Sequence, residues 1–263
     1  MGNYLITGAA GGMGSALCRA LAGEGHRVWG LDRASDYSPE GWTLVPADLT
    51  KPEEVENAFR RVQAEAGSLD GIVHTAGVYD LGSLAELPEA DFLRDFNVNL
   101  FAAFRVNRAF LPLLAPGGRI VIVTSELAPL PVLPFTGIYA VTKAALDKYA
   151  EALRMEMQLL GHPVVAVRPG AVKTGMLPVS TAKLEKFCAE TQLYSCNAAR
   201  FRRIVAKVES RCVPPERIAA LIVRALGAPR PKPVYNLNRN PLLLLFGLMP
   251  RRTRPWAIRR LLA

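Results

Sequence analysis

Tyr4-Leu5-Ile6-Thr7-Gly8-Ala9-Ala10-Gly11-Gly12-Met13-Gly14 decides the fold. A short apolar run empties into a glycine-rich turn, and Ala16, Leu17, Ala20 and Leu21 then recur at helical spacing. Strand, glycine turn and helix in that order form the first βα unit of a dinucleotide-binding sheet. Gly8 allows a tight turn, Gly12 a close backbone approach to a pyrophosphate, and Gly14 the packing of helix on strand. The helix start, with its unpaired amides, faces the phosphates, and Thr7 and Met13 belong to the same loop. Asp32 ends the next predicted strand eighteen residues after Gly14, where a carboxylate accepts from ribose hydroxyls and repels a 2′-phosphate. Arg33 offers that phosphate a guanidinium, but the residue before Gly12 is Gly11 and not a base, so NAD is favoured over NADP. Asp48, followed by Leu49 after the third strand, either meets the adenine or serves as a helix N-terminal acid.

Working outward, short apolar strands are predicted at Tyr4–Thr7, Arg27–Leu31, Thr43–Pro46, Gly71–His74, Arg119–Thr124, Val164–Arg168 and Val234–Leu237, with helical patterns between them. Thr50-Lys51-Pro52-Glu53 reads as a capping box ahead of Val55, Ala58, Phe59 and Val62. This alternation predicts an α/β, doubly wound, parallel seven-stranded sheet with helices on both faces. The 263 residues, half of them apolar and 21% charged, suit one large domain over about 1–240, followed by a segment 241–263 of different character.

Charge and cysteine usage narrow the class. The net charge is +9, yet the ten basic residues from Arg217 onward face no acid, and the preceding residues sum to about neutral. A nucleic-acid binder spreads basic residues over a folded face with interleaved aromatics, so nucleic acid is not the expected partner. The run Leu242–Met249 is far shorter than the ~20 residues that span a bilayer, although it can lie in one. Four cysteines form no CxxC and no zinc spacing with the three histidines, so no metal site is expected and a reducing, cytoplasmic setting is. The start shows no signal-peptide pattern, and Ile6 breaks the myristoylation motif.

Tyr139-Ala140-Val141-Thr142-Lys143 opens a long amphipathic helix running to about Leu160, and positions i and i+4 share a face. A free phenol titrates near 10, and a neighbouring ammonium together with a positively charged nicotinamide favours its phenolate. Ser125 follows the fifth strand, at the carboxyl edge where open α/β sheets bind ligands. Asn99 lies in the preceding helical pattern, and Pro169, Gly170, Val172 and Thr174 sit in the turn after the sixth strand.

With Thr7-Gly8-x3-Gly12-x-Gly14, Thr75-Ala76-Gly77, Asn99, Ser125, Tyr139-x3-Lys143 and Pro169-Gly170-x-Val172-x-Thr174 in this order, the chain resembles the short-chain dehydrogenase/reductase family and its Rossmann fold. The resemblance implies that Tyr139 exchanges a proton with the substrate oxygen while Ser125 hydrogen-bonds that oxygen. Lys143 lowers the tyrosine pKa and holds ribose, and Asn99 holds a water linking Lys143 to solvent. Ala76 and Gly77 admit the cofactor closely, and Val172 and Thr174 orient its carboxamide. Two departures stand out. The family has Asn-Asn-Ala-Gly where this chain has His74-Thr75-Ala76-Gly77, which makes His74 a structural replacement. Ser125 also lies fourteen residues before Tyr139, so ungapped counting puts Glu126 in the serine slot, while Pro129, Pro131 and Pro134 accommodate an inserted loop residue.

The stretch at about 175–215 resembles the family's substrate lid. Its apolar face (Leu184, Phe187, Phe201, Val205) suits a lipophilic alcohol or ketone of steroid, retinoid or acyl type, or else packs on the body. The resemblance implies a homodimer or homotetramer. The 241–263 segment, with five arginines beside Trp256 and its leucines, fits peripheral contact with an anionic membrane, or packing on protein. A regulatory scaffold without turnover and an NADPH-dependent reductase of carrier-linked 3-oxoacyl groups are the competing readings.

Overall fold

A computed structural model describes residues 1–262. Seven strands form one parallel sheet: β1 (Asn3–Thr7), β2 (Arg27–Asp32), β3 (Thr43–Pro46), β4 (Leu69–His74), β5 (Leu114–Val123), β6 (Val164–Pro169) and β7 (Val234–Leu237), in spatial order 3-2-1-4-5-6-7. Alternate residues supply two cores. Leu5, Trp29, Ile72, Ile120 and Ile122 face α2 (Pro52–Ala66), α4 (Ala102–Phe110) and α5 (Gly137–Met157). Ile6, Val28, Val73, Val121 and Val167 face α1 (Gly12–Gly23) and α8 (Pro215–Gly227). Because both faces are covered, the strands are mostly apolar, and each fully buried Leu or Ile contributes about 1.5–3 kcal/mol.

All seven predicted strands are present; β1 and β4 start one and two residues earlier than predicted, and β5 starts five residues earlier. β5 begins at Leu114, pairs there with Leu69, and resumes pairing at Arg119 opposite Gly71. Pro116-Gly117-Gly118 bulges between them, with Gly117 at a positive φ of 76°. The capping box is corrected. Pro52 occupies the first helical position, so Lys51 becomes the N-cap and makes no side-chain cap bond. The Thr50 hydroxyl instead donates to Asp48 Oδ1 at 2.7 Å, and it is Glu54 that reaches back, accepting from the Asp48 N–H at 2.7 Å.

Strand order reverses between β1 and β4, which opens a crevice at their carboxyl ends. On one side of it, α3 (Glu89–Phe96) runs into a π-helical turn, Asn97–Phe101, before α4. Over it lie α6 (Met176–Glu190) and α7 (Ser195–Glu209), then α9 (Pro241–Leu248) and α10 (Arg254–Leu262). Phe135 anchors this cover: its ring meets Phe187, Tyr194 and Phe201 at centroid distances of 5.2, 5.2 and 5.4 Å. Leu81, Leu184 and Leu262 close the same cluster, and Asn197 donates to the Leu262 carbonyl at 2.6 Å. The 241–262 segment therefore folds back onto α7.

Candidate active site

The glycine turn is shaped by what crosses it. Gly8 has φ +69°, and a Cβ there would stand 2.7 Å from the Ala76 backbone. Only glycine lets the β1 and β4 loops approach this closely. The two loops are knit by Thr75, whose hydroxyl donates to the Thr7 carbonyl at 2.7 Å and whose N–H donates to the same oxygen at 3.2 Å. The first turn of α1 has no side-chain cap, so its amides stay available to an anion. Asp32 accepts from the N–H of Ala10 (3.0 Å) and of Ala34 (3.2 Å), which fixes its carboxylate at the end of β2 beside the glycine turn, with Arg33 exposed. These features fit a dinucleotide. Asp48 caps its own turn, its Oδ1 accepting from the N–H and hydroxyl of Thr50. Burial alone would raise its carboxyl, but the Thr50 bonds outweigh that and hold it below the usual range. Leu49 is buried in the core, so only its backbone can serve a cofactor.

A cavity of about 440 Å³ opens beside this turn. Met13, Gly77, Ser125, Tyr139, Lys143, Pro169, Gly170, Val172 and Thr174 all line it. Thr7, Gly8, Gly12, Gly14, Asp32, Arg33, Asp48, Leu49, Ala76 and Asn99 do not; they stand along the crevice or behind its wall.

Ser125 and Tyr139 are hydrogen-bonded to one another, and the Leu127 N–H donates to Ser125 Oγ at 3.2 Å. Glu126, the other candidate for that slot, also lines the cavity, but its carboxylate is engaged by the Asn240 N–H at 2.6 Å. Of the two candidates, Ser125 is the one that meets the phenol. Lys143 is buried and donates to the Val123 carbonyl at 3.2 Å, with its Nζ 6.0 Å from the Tyr139 ring centroid. Gly77 leaves room for it, since a Cβ there would stand 3.3 Å from Nζ and 3.0 Å from Asn99 Oδ1.

One expectation is corrected here. The protein's own groups do not prime the phenol: burial pushes Tyr139 up to about 12, the Glu126 carboxylate adds to this, and only the Ser125 bond opposes it. Lys143 is not among the groups that act on it; burial drives the lysine itself down to about 8, and its ammonium donates to the Val123 carbonyl. A cation brought in with a ligand would lower the tyrosine pKa.

Asn99 is 1% exposed and acts as a strut. Its Oδ1 accepts the Val78 N–H at 2.8 Å, while its Nδ2 donates to the Val78 carbonyl at 3.1 Å and to Thr142 Oγ1 at 3.0 Å. The π turn aims it there; such single turns recur at functional sites. His74 is equally buried, and its Nε2 lies 2.8 Å from Asn107 Oδ1, whose amide donates to Tyr149 Oη at 3.0 Å. An amide oxygen only accepts, so Nε2 carries the proton. Burial holds His74 at about 4, against 6.5 in water, so it is a neutral structural group.

Three contributors carry no motif. Tyr79 packs edge-on to Tyr139 at 4.6 Å and lines the cavity. Asp147 ties the carboxyl edge together by accepting from Arg168 at 2.9 and 2.6 Å and from the Thr124 hydroxyl at 3.0 Å. The 241–262 segment supplies Leu242, Leu243, Phe246 and Ile258 to the cavity wall. The last had a signal, since a helix apolar all round must bury one side.

The cover is latched to the loop after β4. Asp80 accepts from Lys183 of α6 at 2.7 and 2.6 Å and also from Arg94. Glu86 accepts from Thr191, Gln192 and Leu193 in the α6–α7 turn.

Comparison with known proteins agrees with this fold. The family model for short chain dehydrogenase matches residues 3–185. A 3-ketodihydrosphingosine reductase of Bacteroides thetaiotaomicron is 26% identical over 91% of this chain and 88% of its own. Estradiol 17-beta-dehydrogenase 2 of Mus musculus is 34% identical over 65% of this chain, which spans 48% of that protein. A short chain dehydrogenase from Burkholderia cenocepacia, solved in complex with NADP, superposes with a TM-score of 0.71 at 26% identity over 89% of this chain and 95% of its own. The chain belongs to the short-chain dehydrogenase family, oxidoreductases that bind NAD(P) and act on CH–OH or keto carbons.

Proposed function

We propose that the protein is an NAD-dependent oxidoreductase of lipophilic secondary alcohols and ketones, with residues 1–240 carrying the chemistry and 241–262 completing the substrate wall. The single observation carrying this reading is the Ser125–Tyr139–Lys143 cluster at the base of a cavity whose outer walls are leucine, isoleucine and phenylalanine. Thr7, Gly8, Gly12, Met13 and Gly14 would cradle the pyrophosphate, Asp32 the adenosine ribose, Asp48 and Leu49 the adenine edge. Ala76, Gly77, Pro169, Gly170, Val172 and Thr174 would enclose the nicotinamide end. The bound nicotinamide supplies or accepts the hydride.

The remaining steps belong to the chain. In reduction the Tyr139 hydroxyl gives its proton to the carbonyl oxygen as hydride reaches the carbon; in oxidation the phenolate takes that proton back. Ser125 donates to the same oxygen as charge gathers on it. Lys143 holds the nicotinamide ribose and returns protons to Tyr139. The Asn99 side chain is committed to Val78 and Thr142, so a water relaying protons to Lys143 would rest on the main chain of the π turn.

Asp32 at the ribose end supports NAD over NADP. The exposed Phe92, Leu93, Phe101 and Phe104 along α3, the π turn and α4 support a homodimer or homotetramer through that face. Lys207 and Arg211 also line the cavity, which favours, as a second reading, a substrate bearing an anionic handle such as a carrier-linked 3-oxoacyl group.

The test is nicotinamide absorbance with a panel of hydrophobic secondary alcohols and ketones, using NAD and NADP. Tyr139→Phe should lower kcat by about 10²-fold or more while cofactor affinity is retained. Undiminished turnover in that variant refutes the assignment of the phenol. Cofactor binding with no turnover in the wild type favours the scaffold.

A further inference from the structure

The cavity opens through the segment that walls it. Leu242 and Leu261 both line the cavity and are 62% and 61% exposed, so they form its rim. Leu245 and Leu248 continue the stripe begun by Leu242 at three-residue intervals along α9, 64% and 82% exposed, and neither lines the cavity. On α10 Trp256 points outward at 63%, with the Arg260 guanidinium 5.7 Å from its ring centre. Arg251, Arg252 and Arg259 stand exposed around these groups, and no acid occurs from Arg217 to the last residue. Among the described residues no helix is long and apolar enough to cross a membrane, so the segment has the character of one that lies in an interface.

We propose that the outer face of α9 and α10 docks on an anionic lipid bilayer and sets the cavity rim at the level of the acyl chains, so that a lipophilic substrate enters from the lipid without crossing water. Charge selects the occupant. A second copy meeting this face symmetrically would set arginine against arginine, whereas phosphate and carboxylate headgroups meet each of them with the opposite sign. The ordering fits as well, with leucine and tryptophan on the rim and arginines around them. The delivery of substrate rests on the lipophilic-substrate reading above; the docking does not.

The experiment is co-sedimentation of the full chain with phosphatidylcholine vesicles carrying about 30 mol% phosphatidylserine, at low and at high salt, with tryptophan emission followed in parallel. Trp29 and Trp42 are 2% and 8% exposed, so a blue shift on adding vesicles reports Trp256. The wild type should bind at low salt, shift its emission and release at high salt. Each arginine near such a surface is worth about 1 kcal/mol, a factor of about five, so Arg251→Gln/Arg252→Gln should bind about 30-fold more weakly. Leu245→Glu/Leu248→Glu should lose binding yet turn over a short water-soluble ketone at the wild-type rate. Failure of the wild type to bind at low salt, or equal binding by the leucine variant, overturns the proposal. So does sedimentation velocity showing that the leucine variant dissociates an oligomer, because the face then belongs to a second copy. Vesicle binding without turnover of any alcohol or ketone leaves docking standing and refutes only the enzymatic reading.

Discussion

Replacing His74 by glutamine should make the protein more tolerant of acid, by an amount that follows from the burial of the ring. The folded protein keeps His74 neutral down to about pH 4, whereas in the unfolded chain the imidazole protonates at its ordinary value of 6.5. Below 6.5 the unfolded state therefore binds a proton that the folded state refuses, and stability falls with pH until about 4, where the folded site also takes it up. A gap of about 2.5 pH units at 1.36 kcal/mol each is about 3 kcal/mol in full, of which about 2 kcal/mol is expressed by pH 5. Glutamine places an amide N–H near the position of the imidazole Nε2, so the bond to Asn107 Oδ1 can persist without a titrating group. Urea unfolding of both proteins at pH 8 and pH 5 is the assay, and the wild type should lose about 2 kcal/mol more than the variant across that interval. Asp95 works the other way, because burial raises it to about 6 and its protonation below that favours the fold, but it is common to both proteins and cancels. Parallel acid dependence of the two proteins would refute the argument.

Three further outcomes are expected. The phenolate absorbance difference between wild type and Tyr139→Phe should be absent below pH 10 in the protein alone and should appear below 10 on adding oxidised nicotinamide cofactor; ionisation below 10 without it contradicts the burial effect that holds Tyr139 at about 12. Asp32→Ala removes the ribose acceptor and the bond to the Ala10 N–H, so NAD should weaken by about tenfold, ~1–2 kcal/mol, while discrimination against NADP relaxes; steady-state KM values for both cofactors check this, and a wild type that already prefers NADP refutes the cofactor assignment. Asp80→Asn weakens the latch on Lys183 and should raise the substrate KM about fivefold, ~1 kcal/mol, with kcat little changed; an unaltered KM would show that the aromatic cluster around Phe135 holds the cover unaided.

What could be read without coordinates was whatever is required locally. The apolar runs of the seven strands, the glycines at Gly8 and Gly14 and the one-turn spacing of Tyr139 and Lys143 are each set within a few residues, and all stand where their spacing predicted. The helix start slipped by one residue and no capping box formed, because Pro52 took the first helical position, a competition between two local rules. Other features lie far apart in sequence. Glu126 meets Asn240 across more than a hundred residues, and periodicity carries no trace of that bond. Solvation misled in the same way: the Tyr139–Lys143 spacing suggests a primed pair in water, while burial moves both groups toward their neutral forms.

The π turn at Asn97–Phe101 acts as a phase shift within one continuous rod. Each residue advances an α-helix by about 100°, so a single extra residue lets the rod turn Asn99 inward while Phe101 and Phe104 emerge on the opposite side. Deleting one residue of that turn would restore regular winding at the cost of swinging the amide off Val78, and the loop over Lys143 would lose its tether without any change in the residues that touch it.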